Sequence, residues 1–197
     1  RPSMRLPEDR LGLTPVEELF RYDIFGLPPR LEQWQRDPAS YELTLGGRVT
    51  TEKTYTLEAL RGRFAALERE AILQCMTNVH WGRVLLKGPR LADVLADARP
   101  GADALKLALR GAEEYTTDLI VAEVLERPED FLLVYEMNGA ALAPEHGFPL
   151  RLAATGKYAY KWCKWLTRIE VLNHDFKGHY EGKRGWSDAA VRGRPVC

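Results

Sequence analysis

From Tyr41 to Leu172 the apolar residues of this chain never keep one period for long. That irregularity narrows the possible architectures more than any other feature. A doubly wound parallel fold needs strand and helix patterns to alternate in regular units. Here they do not. Tyr41–Leu45 alternates apolar with polar residues and ends at Gly46-Gly47, which reads as a half-buried strand. Thr56 before Leu57-Glu58-Ala59-Leu60 reads as a capped short helix. Glu70–Gln74 reads as a strand that delivers Cys75 at its end. Leu91–Ala98 has helical spacing and stops at Pro100-Gly101; Ala104–Leu109 alternates again. Asp118–Leu125 is expected to be helical with Asp118 at its start, and Phe131–Tyr135 a buried strand followed by an Asn138-Gly139 turn. Leu150–Ala153 and Trp165–Leu172 complete the strands. The class is α+β, a single mixed domain of sheets and short helices.

The first forty residues read differently. Pro28-Pro29 favours an extended path, and Thr14–Arg21 is expected to be one short helix with Thr14 as cap and Pro15 in its first turn. Residues 1–40 are therefore expected to be an arm packed on a domain formed by residues 41–197. No repeat, low-complexity tract or interdomain linker interrupts that domain.

Charge decides what the chain does not bind. Lys plus Arg and Asp plus Glu both number 28, so the formal net charge is zero. Proteins that hold nucleic acid through its phosphates are usually clearly basic, so no nucleic-acid partner is expected. The balance is uneven, however. Arg151–Arg168 holds five basic residues and no acidic one, whereas Glu113–Glu136 holds eight acidic residues and only Arg127 against them. These are either two solvated faces or a local anion site. Three scattered cysteines do not make a disulfide framework. No apolar run reaches the roughly 18 residues of a membrane helix, so the protein is not expected to be membrane-embedded. Arg1–Arg30 lacks the apolar centre of a secretory signal. A cytoplasmic location is expected, with a periplasmic one after removal of a leader as the alternative.

Four constellations could carry chemistry. Leu73-Gln74-Cys75-Met76-Thr77-Asn78-Val79-His80-Trp81-Gly82 puts a thiol where a strand runs into a polar loop. Cys75 there could ligate a soft metal, act as a nucleophile beside His80, or be a small buried apolar residue. His146 and Arg151 flank a Gly147-Phe148-Pro149 loop suited to a phosphate or a pterin edge. Gly156–Leu166 interleaves lysines and aromatics, which suits nucleic-acid stacking less well than a compact phosphate-bearing ligand. His174-Asp175 with His179 has spacing that metal ligands can use, but it sits in a polar, glycine-rich tail and is not expected to bind zinc.

In order and spacing these residues resemble the molybdopterin-binding domain of the sulfite oxidase family. The resemblance runs through Leu73-Gln74-Cys75, Asn78, Trp81-Gly82, Gly88-Pro89-Arg90-Leu91 with Leu95, Tyr135-Glu136-Met137-Asn138-Gly139, His146-Gly147-Phe148-Pro149 with Arg151, and Lys164-Trp165-Leu166. It covers about Tyr41 to Trp186. It implies molybdenum and molybdopterin as cofactors, with Cys75 as the thiolate ligand of the metal. Asn78, His146, Arg151 and Lys164, with Lys161 close by, would hold the pterin and its phosphate. The cofactor carries the hard chemistry in such enzymes and the protein positions it.

The departures from the family pattern bear on substrate. Sulfite-oxidising members have an Arg five residues after the ligand Cys, where this chain has His80, and a Tyr where it has Trp186. Their upstream Arg-Asn-His-Leu-Pro element is not recognisable in Tyr22–Arg30. Cys75, His80 and Trp186 are therefore the candidate catalytic residues, His80 as a proton or hydrogen-bond donor. Sulfite oxidation is expected to be weak or absent. The resemblance points to the compact bacterial members, without haem or dimerisation domains. It implies oxygen-atom transfer on a small or peptide-borne S-oxide, with electrons from a separate partner such as a haem protein. Two alternatives stay open: a non-catalytic domain of the same fold that binds a phosphate-bearing ligand or a protein, and a thiol hydrolase using Cys75 and His80.

Overall fold

The computed structural model describes residues 12–197; the first eleven residues of the expected arm lie outside it. In chain order the elements are α1 (Leu31–Arg36), β1 (Glu42–Gly47), β2 (Lys53–Thr56), α2 (Leu57–Arg63), β3 (Ala66–Gln74), β4 (Trp81–Pro89), α3 (Leu91–Ala98), β5 (Lys106–Gly111), β6 (Thr116–Ile120), α4 (Val121–Glu126), β7 (Phe131–Val134), β8 (Glu136–Met137), β9 (Ala140–Ala141), β10 (Arg151–Ala154), β11 (Leu166–Leu172) and α5 (His179–Arg184). The fold is α+β, as the irregular pattern implies.

The described residues form three sheets. The largest has the order β2-β1-β11-β5-β6, a second pairs β10 with β7, and a third runs β3-β4-β8-β9. In the large sheet β1 lies parallel to β11, with Thr44 opposite Arg168, while the other pairs are antiparallel. The alternation read in Tyr41–Leu45 is realised there: Tyr41, Leu43 and Leu45 are fully buried and Glu42 is exposed. Thr56 caps α2 through its hydroxyl, which accepts from the Ala59 amide at 3.1 Å. One continuous core runs from Trp34 of α1 through Leu107 and Leu109 of β5 to Trp165 and Ile169.

β3 and β4 form a long hairpin in register from Ala66 opposite Pro89 to Gln74 opposite Trp81. Its turn begins at Cys75, so the hairpin is the lever that places the thiol. β4 escapes the sequence reading because Gly82, Gly88 and Pro89 resemble loop residues. Gly88 is required by a close approach: a Cβ there would lie 1.9 Å from the Leu133 carbonyl oxygen.

Three local expectations are corrected. Thr14–Arg21 is not a helix; only a 3-10 turn at Val16–Glu18 forms. Thr14 instead pairs with β4, donating its amide to the Arg83 carbonyl at 2.8 Å and accepting the Arg83 amide on its hydroxyl at 3.0 Å. β8 pairs β4 only at Leu86 and Lys87, so the strand is open at Arg83 and offers those bonds, which a helix would forfeit. Asp118 does not start a helix either. It lies inside β6, and α4 follows at Val121. Its carboxylate is taken by two buried ammonium groups, Lys106 at 2.5 Å and Lys161 at 2.8 Å. Pro28-Pro29 does not leave the arm extended: α1 begins at Leu31 and buries Leu31 and Trp34.

Candidate functional site

The Cys75 loop is closed by its own backbone. The Cys75 amide donates to the His80 carbonyl at 2.8 Å and the Asn78 amide to the Cys75 carbonyl at 3.0 Å. Asn78 takes a left-handed conformation with φ of 61°. Its side-chain oxygen accepts from Gln74 at 2.8 Å and from the Tyr158 hydroxyl at 3.2 Å. The loop therefore holds a half-buried thiol at the wall of a cavity of about 280 Å³.

The opposite wall is cationic. Pro144–His146 makes a 3-10 turn, Gly147 reverses the chain at φ of 109°, and Arg151 opens β10. The Arg151 guanidinium donates to the His146 carbonyl at 2.9 Å and to the Trp162 carbonyl at 3.3 Å. Its Nε is buried and has no hydrogen-bond partner among the described residues. Lys164 donates to the Glu145 carbonyl at 3.0 Å and pairs with Asp23 of the arm. Burial, then the charges of Arg151 and Lys164, push His146 down to about 4, so the ring is neutral at pH 7 and keeps one donor and one acceptor. Burial also lowers Arg151 to about 10, which leaves it charged.

Glu113 was missed by the sequence reading, which counted it only within an acidic stretch. It lines the same cavity and is nearly buried, and one carboxylate oxygen has no partner among the described residues. Burial pushes its carboxyl up to about 7. Such a group accepts hydrogen bonds from ligand N–H groups or holds a proton. Tyr180 was missed as well. With Tyr160 and Trp186 it forms an aromatic wall, and the Tyr180 and Trp186 rings stack at 4.3 Å with 6° between planes.

Of the residues singled out from sequence, Cys75, His146, Arg151, Lys164 and Trp186 converge on this cavity. Asn78, His80 and Lys161 are not among its lining residues. Asn78 shapes the loop from behind. His80 is exposed, and its ring packs against Phe20 and Tyr22 at 6.0 and 6.3 Å. Lys161 is fully buried and turned toward Asp118 and Glu181. Of the tail residues, Asp175 pairs with Lys106 and His179 packs on Phe25. Among the described residues no three metal-ligating side chains cluster.

The donor set suits a molybdopterin. A soft thiol faces the cavity, as a soft, redox-active metal requires. Arg151 supplies a buried cation and Lys164 a half-buried one for a phosphate, and the unpartnered Arg151 Nε is a spare donor. The neutral His146 ring and the unpartnered Glu113 oxygen suit the mixed donors and acceptors of a pterin edge.

Residues 30–180 match the model of the oxidoreductase molybdopterin binding domain family. The chain belongs to this family. Molybdopterin is the cofactor by which the family is described. Relatives of the domain include a Bacillus subtilis protein named uncharacterized oxidoreductase YuiH, 30% identical over 75% of this chain and 73% of its own length. The mitochondrial sulfite oxidase of Drosophila melanogaster is 29% identical over 92% of the chain, which spans only 36% of that enzyme. An NADH nitrate reductase of Lotus japonicus is 37% identical over 70% of the chain and 18% of the enzyme. Among solved structures, the sulfane dehydrogenase SoxCD of Paracoccus pantotrophus shares the fold, with a TM-score of 0.66 at 23% identity over 74% of this chain and 41% of that one.

Proposed function

We propose that this molybdopterin-binding domain catalyses oxygen-atom transfer at sulfur, reducing a small or peptide-borne S-oxide in preference to oxidising sulfite. The observation that carries the reading is the composition of one cavity. Cys75 shares it with an aromatic wall of Tyr160, Tyr180 and Trp186, while its cations lie at Arg151 and Lys164 beside the neutral His146 ring. A cofactor phosphate would take up Arg151, and Asp23 is already paired with both Lys164 and Arg21, so little unpaired positive charge would be left beside the thiol for a second anion. His80, which stands where sulfite-oxidising members have an Arg, packs on Phe20 and Tyr22 and itself offers no guanidinium. A neutral S-oxide with apolar substituents suits such surroundings better than sulfite does.

When bound, molybdopterin supplies a metal that exchanges an oxygen atom with substrate and two electrons with a donor. In this reading Cys75 ligates the metal as thiolate. Arg151 and Lys164 hold the phosphate, and His146 and Glu113 hold the pterin edge. The aromatic wall excludes water and seats the substituents on sulfur. Reduction of an S-oxide consumes two electrons and two protons and releases one water. The electrons are proposed to come from a separate partner, of haem type. Among the described residues no helix is long and apolar enough to cross a membrane.

The test uses protein made in a host that synthesises the cofactor. Molybdenum and pterin should be near-stoichiometric. Reduced viologen should drive reduction of a dialkyl sulfoxide, while ferricyanide-linked sulfite oxidation stays slow. Cys75→Ser should keep the fold, alter the metal's absorption spectrum and lose at least about a hundredfold in turnover. Sulfite turnover faster than sulfoxide turnover, or an unchanged metal spectrum in Cys75→Ser, overturns the reading.

A further inference from the structure

Lys161 is the most thoroughly engaged cation of the basic stretch, and its three N–H groups have three partners. It donates to the Asp118 carboxylate at 2.8 Å, to the Asp118 carbonyl at 3.0 Å and to Glu181 at 2.5 Å. No donor remains for a ligand. Lys161, Asp118 and the Glu181 side chain are all shielded from solvent. Asp118 also binds Lys106, and Glu181 also accepts from the Thr117 hydroxyl at 2.8 Å. Lys106 and Lys161 thus face the two buried carboxylates, with Asp175 and Asp188 also on Lys106, so each buried charge has an opposite partner.

The partners belong to different elements, and both sides touch the cavity. Lys161 ends the 3-10 turn Ala159–Lys161, which with Trp162 gives Ala159 and Tyr160 to the lining. Glu181 sits on α5 next to Tyr180, which lines the cavity and stacks on Trp186. α5 has little of its own to hold it in place. It is six residues long, contains Gly182, and Glu181 is its one buried residue. A helix that short is not stable by propensity. It nonetheless approaches β6 closely: a Cβ on Gly178 would lie 2.4 Å from the Thr117 Cα. The buried Glu181 carboxylate joins this segment both to β6, through the Thr117 hydroxyl, and to the 159–161 turn, through Lys161.

We propose that Lys161 is a positioning residue for substrate: by clamping Glu181 of α5 and Asp118 of β6 to the 159–161 turn, it fixes the Tyr160–Tyr180–Trp186 wall that selects what reaches the Cys75 side of the cavity. Its effect on KM rests on the S-oxide reading above; its effect on the aromatic stack does not.

The experiment compares Lys161→Met, Lys161→Arg and Glu181→Gln in cofactor-loaded protein. The first measurement is near-UV circular dichroism. The Tyr180–Trp186 stack is isolated as the difference between wild type and Trp186→Phe. That signal should disappear in Glu181→Gln and Lys161→Met and return in part in Lys161→Arg. The second is kinetic. KM for a dialkyl sulfoxide should rise about tenfold in both charge-breaking variants while kcat stays within about twofold, and molybdenum and pterin content should not change. Loss of cofactor from Lys161→Met with the aromatic signal intact would overturn the proposal, because Lys161 would then serve the cofactor. An unchanged signal and KM in Glu181→Gln would overturn it too. Glu181→Gln keeps the volume of the side chain, so it decides the matter if Lys161→Met does not fold. If wild type reduces no sulfoxide, the S-oxide reading fails, and the dichroism alone decides the role of Lys161.

Discussion

Asp23 and Lys164, 141 positions apart, form an ion pair on the cavity wall and so tie the arm to the segment just before β11. Both side chains are mostly buried, at 17% and 14% exposure, so the pair lies between a surface bridge and a desolvated one. Asp23→Asn should cost about 1–2 kcal/mol at pH 7 in urea denaturation. Burial by itself would raise the Asp23 carboxyl, but the hydrogen bonds and charges of Lys164 and then Arg21 outweigh it and hold the group below its ordinary value. A carboxylate lowered in the fold stabilises above its unfolded pKa, and that contribution is lost as pH falls through the folded value. The difference between wild type and Asp23→Asn should therefore narrow below about pH 4. A constant difference from pH 7 to 3 would show that the pair's charge contributes nothing.

His146 and Glu113 pull the stability of the cofactor-free protein in opposite directions across the same pH range. His146 is pushed down to about 4, so between there and its ordinary value the unfolded chain binds the extra proton and stability rises with pH. Glu113 is pushed up to about 7, so from its ordinary value to there the folded chain binds the extra proton and stability falls with pH. Each amounts to on the order of 3 kcal/mol over the full range. Wild type should be nearly flat from pH 4.5 to 6.5. Glu113→Gln should uncover a rising profile, and His146→Asn a falling one. Parallel profiles in all three proteins would refute the pairing.

The three cysteines should separate cleanly under alkylation. Cys75 is half-buried, Cys197 exposed and Cys163 fully buried. Burial, and then the nearby Glu113 charge, raise the Cys163 thiol well above its ordinary value. Iodoacetamide with peptide mass analysis should modify Cys75 and Cys197 in native protein and leave Cys163 at least about a hundredfold slower until denaturant is added. Loading with molybdenum and pterin should protect Cys75 and leave Cys197 unaffected. Equal alkylation of Cys75 with and without the cofactor would remove it from the ligand role.

The legible and hidden parts of the site differ in where their information lies. The thiol at a strand end, the His-Gly-Phe-Pro-x-Arg loop and the Lys-Trp-Leu strand are local patterns, and the fold brings Cys75, His146, Arg151 and Lys164 to one cavity. Lys161 and Lys164 look alike in sequence. Only tertiary structure sends one ammonium to buried carboxylates and the other to the cavity wall. Asp118 carries the signature of a helix cap, which two buried lysines override. Glu113 is hidden by its acidic neighbours, since sequence does not show which carboxylate faces inward. Tyr180 sits on a helix too short and glycine-containing to leave a period. Its place depends on the charge of the next residue.

Asn138 shows how a turn motif serves more than a turn. It sits in the left-handed region at φ of 54°, followed by Gly139 at 82°, and joins β8 to β9. Its side-chain oxygen accepts from the Leu85 amide at 2.9 Å, and its side-chain nitrogen donates to the Thr14 carbonyl at 2.9 Å. One amide thus bonds the β4 strand of the Cys75 hairpin and the arm that covers it. Asn138→Ala loses both bonds and adds left-handed strain, so it should cost about 2–4 kcal/mol. Asn138→Gly relieves the strain but not the bonds and should cost about 1–2 kcal/mol. Asn138→Asp keeps the acceptor for Leu85 and loses the donor to Thr14, so its damage should concentrate in the arm. Hydrogen exchange in the Thr14–Leu19 segment should then speed up while that of β3 and β4 holds. If Asn138→Gly proves as stable as wild type, the turn needs only its backbone and the side-chain bonds contribute nothing to holding the arm.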